Sequence, residues 1–240
     1  VYAAGGYYYP EDSLGRLKDE MKSYGDMGYT SFKMKIGGAP LAEDMKRIEA
    51  ALSVVGDANA LAVDANGRFD TPTAIAYGKA MAGYGLRWYE EPGDPLDYQL
   101  MADLAAVYER PLATGENLFS VRDVDNLIRH GGMRKGRDLF QMDPALGYGL
   151  GEFARMIAAM EAAGYSRAQL FPHGGHMIAL HIVVGLGLGG SEAYPGVFAP
   201  VGGYAPDCTL EDGGIAPGAL PGFGLEAKPD LAPHIAVLVG

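Results

Sequence analysis

The sequence predicts an α/β protein whose eight strand-like segments close into a (β/α)8 TIM-type barrel, and three observations carry that expectation. Strand-like and helix-like segments alternate over residues 1–193, at intervals of about 25 to 30 residues. Such alternation demands parallel strands, because each parallel connection needs a crossover. Polar residues gather at the carboxyl ends of the expected strands, where a barrel of this type carries its function. A doubly wound open sheet is the alternative, but no nucleotide-type glycine-rich turn follows the first strand.

The expected strands are residues 1–6, 30–36, 60–63, 86–89, 111–114, 138–142, 168–171 and 191–193. They are short apolar runs bounded by turn residues. The expected helices are 13–25, 41–55, 71–83, 98–108, 121–128, 150–163 and 176–187. In the first, Leu14, Leu17, Met21 and Tyr24 fall at helical spacing behind Ser13 as N-cap. In the second, Met45, Ile48, Leu52 and Val55 share one face, and Glu43 and Asp44 suit the dipole of the first turn. Residues 1–195 are read as the barrel. Residues 196–240, rich in Gly and Pro, are read as a helix-poor tail that packs on it or covers its mouth.

With 48% hydrophobic and 20% charged residues among 240, the composition is that of a globular protein with one large core. A net charge of −11 without a basic patch argues against nucleic acid as a partner. It says nothing against an acidic small molecule, since the local charge of a site decides that. Cys208 is the single cysteine, so there is no disulfide framework and no cysteine-based metal site, as in a reducing, cytoplasmic compartment. The most apolar stretch, residues 181–190, is short and glycine-rich, and no run reaches membrane-spanning length. The chain enters a core strand at once, with no initiator methionine or signal peptide, so a segment upstream of Val1 is expected.

Phe32-Lys33-Met34-Lys35-Ile36-Gly37 places two lysines one residue apart in an apolar run. On a strand they share a face. A solvated face would account for them, but inside a barrel two such ammonium groups repel, and one is expected to lose proton affinity and serve as a base. Other strands end in Asp64 and Asn66, Glu90, Glu116, Asp143, His173 and Glu192. Any one acid there could simply cap the next helix. The spacing is more telling: Asp64 to Glu90 is 26 residues, and Glu90 to Glu116 another 26. Three carboxylates converging from consecutive strands repel unless a cation sits among them, and all-oxygen ligation favours Mg²⁺. His173 stands across the barrel from the lysines, and Asp143 on the neighbouring strand can reach its ring. His176 and His181 read as ordinary helix or core histidines, and His130 and His234 have no partner pattern.

A base and an acid on either side of a cation-bound carboxylate suit abstraction of the proton on the adjacent carbon. Returning a proton to that carbon racemises it. Protonating a leaving group on the next carbon dehydrates the substrate.

Lys33-Met34-Lys35, Val63-Asp64-Ala65-Asn66, Glu90-Glu91-Pro92, Gly115-Glu116-Asn117, Asp143 and His173 together resemble the enolase superfamily, mandelate racemase-like subgroup. The resemblance runs from Val1 to about Pro195. It implies Asp64, Glu90 and Glu116 as Mg²⁺ ligands, Lys35 as acid/base, an Asp143–His173 dyad, Lys33 near a substrate carboxylate and Glu192 in contact with substrate. Lys33 would also help to keep Lys35 neutral. Glu90 rather than Glu91 is the expected ligand, since strand alternation turns only one inward and Glu91 toward the helix layer or a loop. Asn66, at the end of its strand, is read as a further substrate contact.

Dehydratases and racemases need the same Lys35–His173 pair, so residue types leave lyase and isomerase both open. Ala3-Ala4-Gly5-Gly6-Tyr7-Tyr8, Lys33-Met34-Lys35-Ile36-Gly37-Gly38 and Glu90-Glu91-Pro92-Gly93-Asp94-Pro95 resemble the subgroup's D-tartrate dehydratases. This implies a hydroxy diacid or sugar acid as substrate, with Tyr7 in reach of it or serving as an interface aromatic. Homo-oligomers are common among such barrels. Family members also carry an N-terminal α+β capping domain, which residues 1–240 do not contain.

Overall fold

The computed structural model describes residues 1–239. Seven parallel strands form one sheet: β1 Tyr2–Gly5, β2 Phe32–Lys35, β3 Leu61–Asp64, β4 Tyr89–Glu90, β5 Leu112–Thr114, β6 Leu139–Phe140 and β7 Glu192–Ala193. Their order is β6-β5-β4-β3-β2-β1-β7. The connections carry α1 Ser13–Asp26, α2 Leu41–Val55, α3 Thr71–Met81, α4 Tyr98–Ala105, α5 Val121–His130, α6 Gly149–Ala162 and α7 Met177–Leu186.

The strand period of two divides the sheet into two faces. Met34, Val63, Tyr89 and Leu112 pair in register across β2 to β5 and pack outward in the main apolar core with the helices. Tyr2, Ala62, Trp88 and Ala113 pack together on the inner face, with Leu139 and Phe171 against them. Two strands separate β1 from β4, which in a flat sheet would hold them roughly 14 Å apart. The ring centroids of Tyr2 and Trp88 are instead 4.9 Å apart, and those of Trp88 and Phe171 5.9 Å. The sheet therefore curls around its inner face, with these aromatics as an apolar floor.

The segment expected as the seventh strand forms no ladder. Residues 167–169 make a 3₁₀ turn, and a single bridge joins Leu170 to Phe140. The N–H of Phe171 donates to Phe140 O (2.8 Å) and that of His173 to Gln141 O (3.2 Å). Pro172 between them has no N–H to give to the opposite edge, where a ladder toward β7 would need it. On the other side, Gly189 N–H donates to Leu170 O at 2.9 Å.

Asp12, not Ser13, caps α1, its carboxylate accepting from Gly15 N–H. Ser13 instead accepts from Arg47 Nη1 at 3.0 Å. Arg47 is buried and ties the ends of β1 and β2: its Nη2 donates to Gly6 O (2.8 Å) and Tyr7 O (3.2 Å). The buried Asp44 one turn earlier accepts from Tyr8 OH (2.6 Å), Gly37 N–H (2.7 Å) and Tyr77 OH (2.8 Å). Arg47→Met leaves Asp44 buried without its cation (3.7 Å away) and frees four acceptors, the carbonyl of Lys35 at 3.5 Å being the fourth. The expected loss is about 3–5 kcal/mol, read as a lower urea midpoint at unchanged slope.

The tail, read as helix-poor, holds a hairpin of β8 Thr209–Glu211 and β9 Gly214–Ala216 and one short helix, α8 Ala232–Val239. It is fastened beside β7. Tyr204 OH donates to Glu192 O, and the ammonium of Lys228 donates to the carbonyls of Val201, Gly202 and Gly203 at 2.6–3.0 Å.

Candidate active site

Register brings the polar residues together. Lys35 pairs with Asp64 and Asp64 with Glu90, so three successive strands present these side chains abreast on the inner face. Glu116 comes from just beyond β5. Gly115 before it has φ +128°, and a Cβ there would stand 3.1 Å from Gln141 N, so only glycine allows this close approach. Oxygens of Asp64, Glu90 and Glu116 lie within 4.8 Å of one another. They form the cluster that the two 26-residue spacings predict.

Each carboxylate has a different surrounding. Asp64 Oδ2 accepts from Lys35 Nζ at 2.5 Å, and its Oδ1 from Asn66 N–H at 2.8 Å. Asn66 takes a left-handed conformation, φ 46°, which asparagine tolerates. Glu90 is held by Lys33 on one oxygen and by Trp88 Nε1 (2.7 Å) and Gln141 Nε2 (2.8 Å) on the other. Glu116 Oε2 is buried and accepts no hydrogen bond among the described residues. Glu91 turns to the loop after β5, where Asn117 Nδ2 donates to both its oxygens at 3.0 and 3.2 Å.

Lys33, expected beside a substrate carboxylate, is instead enclosed below the cavity, its side chain 1% exposed. Its ammonium meets Glu90, Glu192 (2.7 Å) and Asp64 (3.4 Å). Lys35 is the lysine that opens to the cavity, 15% exposed. Neither loses proton affinity. Burial pulls both down, but Glu192 and Glu90 hold the proton on Lys33 and Asp64 holds it on Lys35, so both end above the ordinary lysine value. The expected mutual repulsion is outweighed by the carboxylates around the pair.

His173 Nδ1 lies 2.8 Å from Asp143 Oδ2, so the expected dyad is formed. Asp143 is itself fixed, its Oδ1 accepting from the N–H groups of Ala145 (2.6 Å) and Leu146 (3.0 Å). His173 Nε2 is 3.0 Å from Tyr194 OH and 3.7 Å from Glu116 Oε2. Burial pulls the imidazole down, but the Asp143 hydrogen bond and the Glu192 and Glu116 carboxylates outweigh it and push it up to about 9. Glu192 accepts from Gly174 N–H at 2.9 Å. His176 caps α7, its Nδ1 accepting from Ala179 N–H.

A cavity of about 240 Å³ joins these groups, its walls including Lys35, Asn66, Glu116, His173, Glu192 and Tyr194, with Tyr7 and Phe198 beside them. Larger hollows, of about 340 to 490 Å³, lie at the tail and between helices and hold no comparable set of groups. Three residues that sequence reasoning did not single out belong to the site: Trp88, Gln141 and Tyr194. Each stands two residues from an inner-face position already recognised or inferable (Glu90, Leu139, Glu192), so alternation could have found them.

Charge bookkeeping tests whether a cation fits. Asp64, Glu90, Glu91, Glu116, Asp143 and Glu192 crowd around Lys33, Lys35 and His173. Burial, with Asp64 adding to it, pushes Glu90 up to about 8 against the pull of Lys33, and burial with Glu116 pushes Glu91 up to about 8. Glu116 is raised as well, chiefly by burial. A divalent cation among Asp64, Glu90 and Glu116 would relieve this excess of negative charge and engage the orphaned oxygen of Glu116.

A curled parallel sheet thus brings three acids, a lysine and a histidine–aspartate pair together at its strand ends, a set of groups that suits acid–base chemistry beside a cation. The chain belongs to the enolase C-terminal domain-like family, which matches residues 16–231. It is 35% identical over 168 residues to the L-talarate/galactarate dehydratase of Salmonella typhimurium, covering 70% of this chain and 38% of that protein. It is 31% identical over 173 residues to the arabinonate dehydratase of Saccharolobus solfataricus, covering 72% and 44%. The chain thus spans less than half the length of these relatives. Among solved structures, a mandelate racemase/muconate lactonizing enzyme from Polaromonas sp. JS666 superposes with a TM-score of 0.82 at 26% identity, covering 97% of this chain and 61% of that one. The L-talarate dehydratase of the same organism, complexed with Mg and L-glucarate, gives 0.79 at 25% identity, covering 97% and 62%.

Proposed function

We propose that the protein is a Mg²⁺-dependent hydro-lyase that removes water from a hydroxy diacid or sugar acid, with D-tartrate to oxaloacetate as the assigned reaction. The observation that carries this reading is the convergence of Lys35 and His173 on one carboxylate cluster: Lys35 bonds Asp64, and His173 Nε2 lies 3.7 Å from Glu116. Both groups open into the same cavity. The dehydratases among the relatives support the reaction class.

Asp64, Glu90 and Glu116 would hold the Mg²⁺, whose charge stabilises a substrate carboxylate as its α-proton leaves. Lys35 takes that proton after releasing its own, a release eased once Asp64 is shared with a cation. His173, protonated and steadied by Asp143, gives its Nε2 proton to the hydroxyl leaving the next carbon. The enol that results tautomerises to the keto acid. Lys33, sealed beneath, holds Glu90 and Glu192 in place, and Glu192, Asn66 and Tyr7 face the bound acid. The inner face is read as a closed (β/α)8 barrel completed by residues 170–173, with residues 196–240 covering its mouth.

Incubation with D-tartrate, galactarate or arabinonate and Mg²⁺, followed by detection of keto acid, tests the assignment. Keto acid from D-tartrate is expected. None from any of the three would remove the lyase reading, and deuterium exchange in D₂O without dehydration would replace it with an isomerase. Asp143→Asn should lower the imidazole from about 9 toward its ordinary value. The alkaline limb of the dehydration profile, where the imidazolium is lost, then moves to lower pH, and the rate falls by roughly tenfold or more. An unmoved limb would show that Asp143 does not tune the acid.

A further inference from the structure

His173 is held from both nitrogens, and the second holder has no part in the chemistry above. Tyr194 lies two residues beyond Glu192, on the same inner face. Its hydroxyl is 3.0 Å from His173 Nε2 and donates to Glu192 Oε2 at 2.9 Å. Having given its one proton to Glu192, the hydroxyl offers a lone pair to Nε2, which therefore carries the hydrogen. With Nδ1–H directed at Asp143, the imidazolium is clamped along a line from Asp143 through His173 and Tyr194 to Glu192. The Tyr194 ring is backed in turn by Phe198, centroids 4.9 Å apart. Close approach on the other side leaves no slack: a Cβ on Gly175 would stand 2.5 Å from Tyr194 N.

We propose that Tyr194 is the positioning residue of the acid step: its hydroxyl accepts the Nε2 hydrogen of His173 and holds the imidazolium at the cavity wall, where the leaving hydroxyl takes the place of Tyr194 on that hydrogen. This rests on the dehydratase reading for its consequence, but the clamp itself is independent of that reading. Atoms balance without a new reactant. The carbon–oxygen bond breaks, the leaving hydroxyl takes the Nε2 hydrogen as water, and the proton from the α-carbon remains on Lys35. Tyr194 keeps its own proton throughout. Lys35 lies outside the clamp, so the α-proton step should not depend on it.

Tyr194→Phe keeps the ring against Phe198 and removes only the hydroxyl. With D-tartrate and Mg²⁺, kcat for dehydration should fall about tenfold or more, the worth of one orienting hydrogen bond to a charged group. With lactate, which has an α-proton but no hydroxyl on the neighbouring carbon, exchange in D₂O should stay within about threefold of the unaltered protein. An equal fall in both rates would mean a merely structural role, and no fall in either would mean no role; each overturns the proposal. Should the unaltered protein act on neither acid, the functional reading fails by itself, and ¹⁵N-edited NMR still decides the clamp. A slowly exchanging Nε2–H signal of His173 is expected in the unaltered protein and lost in Tyr194→Phe. Its persistence in the variant overturns the proposal.

Discussion

Lys35→Ala is expected to lower α-proton exchange and dehydration together by roughly 10²–10⁴-fold, the usual worth of a general base. The two lysines of the motif are not interchangeable. Lys33 is sealed among Glu90, Glu192 and Asp64, whereas Lys35 reaches the cavity with Asp64 as its one carboxylate partner. Removing Lys35 leaves Asp64 within 3.4 Å of the Lys33 ammonium and still accepting from Asn66 N–H, so the carboxylate keeps its place. It also removes a cation that competes with Mg²⁺ for Asp64. The variant should therefore bind Mg²⁺ at least as tightly as the unaltered protein, by calorimetry, while failing to exchange the α-proton. Loss of Mg²⁺ binding alongside activity would show instead that Lys35 supports the carboxylate cluster. Lys33→Ala should behave differently: it strands three buried carboxylates and lowers the unfolding midpoint before any rate is measured.

Glu116→Gln should weaken Mg²⁺ binding by more than the roughly 10–100-fold that loss of an outer partner of a metal ligand costs. Glu116 is the member of the trio with a buried oxygen that accepts no hydrogen bond among the described residues, and burial raises its proton affinity. In the metal-free protein, a neutral amide there is spared the cost of burying a charge, which outweighs the pull of His173 and Lys33 on the carboxylate, so thermal stability should hold or rise. Lower affinity with undiminished stability separates a ligand from a structural residue; unchanged affinity would take Glu116 out of the metal site. The pH dependence follows from Glu90, raised from 4.5 to about 8 in the metal-free state. A carboxyl with a raised folded-state pKa lends stability that is complete below about pH 4.5 and lost as pH climbs through about 8. Mg²⁺ needs the ionised form, so binding expels protons below pH 8, and the rise in Tm on adding Mg²⁺ should grow from pH 6 to pH 8.

Alternation along the strands tells the two faces apart in the run from Phe32 to Ile36 and at Glu90 and Glu91. Residues that alternate along one strand fix their own faces, which is why Asp64 and Glu90 were legible, whereas Glu116, Asp143 and His173 lie just past their strands and were legible from that position alone. The fate of Lys33 was not. Its burial depends on carboxylates from β3, β4 and β7, the last 159 positions away, and no local pattern reports that they neutralise it. The same non-local carboxylates reverse the expected fall in lysine proton affinity. The segment at 168–171 read as a strand because it is apolar and precedes a strand-end histidine; Pro172 withholds the N–H a ladder would use. The last helix escaped notice because Pro and Gly dominate the tail up to residue 224, while α8 itself is short.

The central claim is that Lys35 and His173 act on one substrate across the carboxylate cluster. Proton NMR of D-tartrate with the protein and Mg²⁺ in D₂O tests it most directly. Loss of the tartrate α-proton signal with growth of oxaloacetate is expected, dependent on Mg²⁺ and absent in Lys35→Ala. Formation of oxaloacetate that persists in Lys35→Ala, or without Mg²⁺, would contradict it.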